Sequence, residues 1–293
     1  MRIVFIGAVE FSKRALSQLI VMQAGVVGVC TLQESRFNTD HNDLSVLCEE
    51  NRIPCAYAPD INSDQIIEWI TDKCPDVIFC FGWSRLLQKK LLSLAPLGVI
   101  GFHPTALPAN RGRHPLIWAL VLGLEETGST FFFMGEGADD GDILSQEVVT
   151  IDQHDNASSL YEKITQCALT QMRTFVPQLA AGSFTRYAQD ARYATTWRKR
   201  GKPDGQIDWR MSSRSIHNLV RGLGKPYVGA HFLYRGHEIK VWDSECVPDD
   251  SRNIEPGKIL DVAARGVVVR CGEQAIRLLN TEPEIKPIPG EYL

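Results

Sequence analysis

The strongest constraint on this fold is a strand–helix–strand pattern between Arg2 and Cys30. Arg2-Ile3-Val4-Phe5-Ile6 is a short apolar run that stops at Gly7. Phe11, Leu16, Leu19 and Ile20 then fall on one helical face, and Val26-Val27-Gly28-Val29-Cys30 is a second apolar run. Two buried strands joined by a helix form a βαβ unit, which requires parallel pairing. The pattern recurs. Helices are predicted over 44–50, 61–71 and 86–94, and strands over 77–81 and 98–102. The expected class is therefore α/β, with a Rossmann-like parallel sheet. The first turn, Gly7-Ala8-Val9-Glu10-Phe11-Ser12, lacks the second glycine that lets backbone approach a pyrophosphate, which disfavours NAD or FAD. No phosphate-binding P-loop is present either.

Beyond residue 160 the texture changes. Leu160 to Leu179 reads as a helix, and 182–205 as an exposed polar linker. Its basic cluster from Arg198 to Lys202 reads as solvated rather than as a nucleic-acid patch. Ser212 to Leu223 is a further helix. Five short β-like runs follow: 230–234, 238–242, 257–262, 266–271 and 275–280. Tight glycine turns between short strands suggest a small OB-like β-barrel. The expected domains are 1–185 (catalytic, Rossmann-like), 186–204 (linker) and 205–293 (C-terminal barrel).

With 293 residues, 44% of them hydrophobic, the chain can bury a sizeable core. A net charge of −4 argues against a nucleic-acid binder that works through bulk charge. No stretch approaches 18 apolar residues, and no signal-peptide pattern is found, so a cytoplasmic protein is expected. None of the eight cysteines forms a C-x-x-C pair, so buried reduced thiols are expected rather than a zinc site.

The segment from Phe102 to Trp118 carries most of the chemistry. His103 ends a predicted strand, where an open parallel sheet presents its ligand crevice. Pro104, Pro108, Gly112 and Pro115 predict a stiff loop rather than a helix. Downstream, Ala138-Asp139-Asp140-Gly141-Asp142 follows the strand-like 130–134. A carboxylate beside an imidazole orients it and favours its charged form, which suits proton transfer at neutral pH. Taken alone, each feature also reads as plain structure: a hydrogen-bonded histidine and a solvated turn.

Together these residues resemble the folate-dependent formyltransferase family. That family's loop resembles H-x-S-L-L-P-x-x-x-G-x-x-P, and here it runs from His103 through Pro108 and Gly112 to Pro115. Its downstream D-x-G-x-I element is similar to Asp139-Asp140-Gly141-Asp142-Ile143. Phe81 to Leu87 looks like its folate-site segment. Gly205 to Trp209 and Lys240 to Trp242 look like the C-terminal barrel of the methionyl-tRNA and amino-sugar branches. The resemblance implies formyl transfer from 10-formyltetrahydrofolate, a co-substrate, to an amine, with no metal. It implies His103 and Asp139 as catalytic residues. It also implies a folate site at Arg85, Leu86 and Leu87, at Gly135, Glu136, Gly137, Ala138 and Asp139, and at Arg113. One position departs from the pattern. The family has Asn two residues before the histidine, where it stabilises the oxyanion, and here that residue is Gly101. Losing such a donor costs about 10²–10³ in rate elsewhere. Asn110, Ser129 or a water could substitute, protonated His103 could serve, or the protein could be an impaired folate or sugar-nucleotide binder.

Among acceptors, the resemblance points to a nucleotide-linked amino sugar in surface-glycan synthesis. The glycinamide branch lacks a C-terminal barrel, and the tRNA branch calls for a basic surface and salt-sensitive binding. Methionyl-tRNA is the alternative. The expected partners are small molecules, with no nucleic acid and no membrane, and with a homodimer left open.

Overall fold

A computed structural model of the chain describes residues 1–35 and 39–293. The elements run β1 (Ile3–Ile6), α1 (Glu10–Val21), β2 (Val26–Thr31), α2 (Ser45–Glu50), β3 (Cys55–Tyr57), α3 (Asp64–Asp72), β4 (Val77–Cys80), α4 (Lys89–Leu92) and β5 (Val99–His103). They continue with β6 (Arg111–Gly112), α5 (Pro115–Val121), β7 (Glu126–Phe133), β8 (Ile143–Thr150), α6 (Ala157–Ala181) and β9 (Thr196–Trp197). The last are α7 (Ser213–Gly222), β10 (Ala230–Tyr234), β11 (His237–Val247), β12 (Ile259–Ala263), β13 (Gly266–Arg270) and β14 (Ala275–Glu282).

The chain divides into two compact units that do not follow chain order. The first comprises residues 1–112, 128–149 and 163–196, and the second 113–127, 150–162 and 197–293. Seven strands form the central sheet in the order β3-β2-β1-β4-β5-β7-β8. β1 to β5 pair in parallel, as the βαβ pattern predicts, but β7 runs antiparallel to β5. Every side chain of β1 and β4 is buried, which explains their continuous apolar runs. Val4, Ile6, Ile78 and Val99 pack with Ile66, Ile70 and Leu91 of the helices. Elsewhere in this unit Phe5, Phe81, Phe131 and Phe175 meet in a chain of edge-on and tilted ring contacts, with centroids 4.7–5.5 Å apart. Full burial of each ring contributes roughly 1.5–3 kcal/mol.

In the second unit, the five-stranded order is β10-β11-β14-β13-β12, antiparallel throughout, with β10 and β12 as its edges. Register shifts at Val241–Ser244 and Ile259–Asp261 bend this sheet. Ile216, Leu219 and Val220 of α7 bury against it, as does Ile117 of α5.

Two local expectations are corrected. The proline-rich loop stops before Pro115, which opens α5 from its first turn, where a missing N–H costs nothing. The helix predicted over 86–94 is only Lys89–Leu92, and 81–88 is loop. No helix among the described residues is long and apolar enough to cross a membrane.

Candidate active site

His103 is the last residue of β5 and is buried. Its Nε2 lies 2.9 Å from the Asn110 carbonyl oxygen. A carbonyl only accepts, so Nε2 carries a hydrogen and Nδ1 is the nitrogen left for chemistry. Nδ1 lies 3.7 Å from Asp139 Oδ2. That is too long for a hydrogen bond, yet close enough for a strong ion pair once the ring is protonated.

The loop between the two is tightly held. Thr105 Oγ1 donates to the Ala109 carbonyl (3.0 Å), and Thr130 Oγ1 to the Thr105 carbonyl (2.6 Å). Gln146 Nε2 donates to the Leu107 carbonyl at 2.9 Å. Asn110 and Asp139 both adopt left-handed backbone, with φ of 64° and 55°, which Asn and Asp tolerate better than most residues. The Asp139 carboxylate accepts the Gly112 N–H at 2.9 Å. Gly141 closes the turn after it, where a Cβ would collide with the Phe133 carbonyl oxygen.

A cavity of about 270 Å³ opens at this sheet end. Its lining includes Trp83, Gly101, Phe132, Met134 and Asp139, together with Asp40, which nothing in the sequence marked. Gly101 and His103 share a strand face because side chains alternate along β5. A Cβ at Gly101 would lie 2.8 Å from Met134 Cγ and 3.0 Å from Phe132 Cζ. The place of the family's amide is therefore taken by apolar side chains. Cys80 also lines the cavity, and burial raises its thiol far above the ordinary value, so it stays protonated and poorly nucleophilic.

Arg85 and Leu86 are exposed, while Leu87 is buried in the helix–sheet core. The Leu86 carbonyl already accepts from Asn62 Nδ2 at 3.0 Å. Gly135, Glu136, Gly137 and Ala138 form an exposed loop, and Glu136 pairs with Lys89 at 3.3 Å. Arg113 is exposed in the second unit. Ser129 is removed as an oxyanion donor, because it is fully buried and its Oγ donates to Gln171 Oε1 at 2.6 Å. Asn110 Oδ1 accepts from Thr195 Oγ1 at 3.2 Å.

The stretch expected to be an exposed linker is partly structured. In the second unit, the Arg198 and Arg200 guanidinium groups lie 5.3 and 4.4 Å from the Trp118 ring centroid. Arg200 is buried, and Arg198 pairs with Asp204 at 2.5 Å. Burial, then the charges of Arg113, Arg200 and Lys199, lower the pKa of His114 below the ordinary histidine value.

The profile of the formyl transferase family matches residues 1–174, and that of the formyl transferase C-terminal domain matches 200–291. The chain belongs to the formyl transferase family. Among solved structures, this formyl transferase is similar in fold to WlaRD, a sugar 3N-formyl transferase solved in the presence of dTDP and 5-N-formyl-THF. The two share 16% identity at a TM-score of 0.71, over 95% of this chain and 97% of that one. An N-formyltransferase from Helicobacter canadensis, in complex with folinic acid and dTDP-3-aminofucose, aligns with 15% identity and a TM-score of 0.71, over 95% and 99% of the two chains. Methionyl-tRNA formyltransferase from Clostridium thermocellum aligns with 19% identity and a TM-score of 0.61, over 84% and 93%.

Proposed function

We propose that this formyl transferase moves a formyl group from 10-formyltetrahydrofolate to the amine of a nucleotide-linked amino sugar, in the cytoplasm, for a surface glycan. The observation that carries the reading is the pairing of His103 Nδ1 with Asp139 Oδ2, 3.7 Å apart, where the cavity opens at the end of β5. The amine nitrogen attacks the formyl carbon, and the carbonyl electrons move to oxygen. His103 takes the amine's proton through Nδ1. It returns a proton to the folate nitrogen as the tetrahedral intermediate collapses, leaving a formamide and tetrahydrofolate. Asp139 stabilises the imidazolium between these two transfers. Its carboxylate is itself oriented by the Gly112 N–H.

The cavity is smaller than the roughly 300–1,000 Å³ of sites that enclose a whole ligand, so it fits one end of a folate. The rest is assigned to the segments at Arg85–Leu87 and 135–139, of which Arg85, Leu86 and 135–138 are exposed. With Gly101 beneath Met134 and Ser129 occupied, the oxyanion is assigned to the Nδ1–H that His103 carries once it has taken the amine's proton.

The sugar acceptor is supported by the net charge of −4 and by the fold shared with two sugar-acting relatives. The test is tetrahydrofolate release with a panel of nucleotide-linked amino sugars, with and without His103→Ala. Turnover that survives His103→Ala sinks the mechanism. Robust, salt-sensitive formylation of methionyl-tRNA sinks the sugar assignment.

A further inference from the structure

The backbone after α6 returns to the site along a defined register. Tyr187 forms an antiparallel bridge with Ile143, exchanging N–H···O bonds of 2.8 and 2.9 Å. Antiparallel pairing carries residue 189 opposite residue 141. Gln189 Nε2 accordingly donates to the Gly141 carbonyl at 2.7 Å and to the Asp139 carbonyl at 2.9 Å. Its Oε1 accepts from Arg111, at 2.6 Å from Nη2 and 3.2 Å from Nε. Arginine only donates and carbonyls only accept, so the amide has one possible orientation. Six residues on, Thr195 Oγ1 accepts the Asn110 N–H at 2.8 Å, and the Thr195 carbonyl accepts the Arg111 N–H at 2.9 Å. Asn110 is the residue whose carbonyl holds His103 Nε2.

One part-buried amide therefore ties the loop carrying Asp139 to the loop that holds His103. Residues 134–142 form neither helix nor strand, and Asp139 within them holds left-handed backbone, so the loop has no regular structure of its own to fix the carboxylate. We propose that Gln189 is a positioning residue whose side-chain amide sets the His103–Asp139 spacing. Its amide bonds the Asp139 backbone carbonyl rather than the carboxylate, and the Arg111 side chain rather than the His103 ring. Its contribution is geometric, and displacements of about 1 Å in such pairs cost up to roughly 10²-fold in rate. The inference rests on the formyl-transfer reading of that pair.

The test compares the full-length wild type with Gln189→Ala, Gln189→Asn and Gln189→Glu. Asn is one methylene too short for both loops. Glu keeps the acceptor for Arg111 but sets a carboxylate against two carbonyl oxygens. The expected result is a fall in kcat of about 10- to 100-fold in the Ala and Glu variants, with a smaller loss for Asn. KM for the folate changes little, and the pH–rate profile is displaced. A purely structural role would lower the active fraction or the melting temperature without displacing that profile. A second measurement needs no turnover: the ¹⁵N shifts of the His103 ring followed across pH. Superimposable His103 curves in wild type and Gln189→Ala overturn the proposal, as does an unchanged kcat and profile. A wild type that turns over no acceptor overturns the formyl-transfer reading instead, while the ¹⁵N comparison still decides the spacing.

Discussion

Returning a side chain to Gly101 is the sharpest probe of how the cavity is packed. A Cβ there meets Met134 Cγ at 2.8 Å, Phe132 Cζ at 3.0 Å and Met134 Sδ at 3.1 Å. The backbone is not in the left-handed region, so the expected cost of Gly101→Ala is steric. Overpacking of this kind costs about 1–3 kcal/mol. Met134 is the nearer obstacle, and it is only partly buried. Gly101→Ala placed on a Met134→Ala background should therefore cost far less than on the wild type. The cycle of wild type, both single variants and the double variant should show a coupling of about 1–2 kcal/mol, with the double variant more stable than additivity predicts. Urea unfolding followed by fluorescence reads all four. Two units are present, so the transition of the first unit is the one to fit. A coupling under about 0.5 kcal/mol, the usual error of additivity, refutes the packing argument. Gly101→Asn on the Met134→Ala background then restores an amide beside His103. A gain in kcat is expected there, because oxyanion donors contribute about 10²–10³ in rate.

His103→Ala should lower kcat by about 10²–10⁴ while leaving folate binding measurable by titration calorimetry. Burial and neighbouring cations lower both His114 and His217 in the second unit. The neutral rings are thus favoured by folding, while the unfolded chain takes up protons below about pH 6.5. Stability of that unit should fall as pH drops from 6.5 towards 5 and stay flat from 7 to 8. Urea midpoints read this, and His217→Gln should flatten the slope. Cys30 and Cys80 are buried, with Cys30 pushed up to about 12 and Cys80 higher still. Native-state iodoacetamide at pH 7.5, followed by mass spectrometry, should label the exposed Cys55, Cys74 and Cys246 and spare these two.

β1, β2, β4 and β5 were legible in the sequence because each is a largely buried apolar run. β3 was not, because Cys55-Ala56-Tyr57 is a three-residue edge with two exposed side chains. β8 hid for a related reason: its burial is irregular, so it gives no clean alternation. α5 was obscured by Pro115, whose effect on a helix depends on position rather than on identity. At the site, local motifs marked His103 and Asp139. The filling of the Gly101 face by Met134 and Phe132 depends on the β5–β7 register, which no local pattern states. Asp40 and Gln189 reach the site through contacts distant in sequence, and neither stands in a distinctive local pattern.

The return of the chain from Tyr187 to Thr195 bears on how this protein can be cut. A fragment ending at residue 185 would retain His103, Asp139 and every strand of the central sheet. It would lack the amide that binds the Asp139 and Gly141 carbonyls and the hydroxyl that holds Asn110. Such a fragment would look whole by circular dichroism while the spacing of His103 and Asp139 was no longer held. Truncations and chimeras that aim to keep the first unit intact must therefore run through Thr196 and carry 128–149 and 163–196 together.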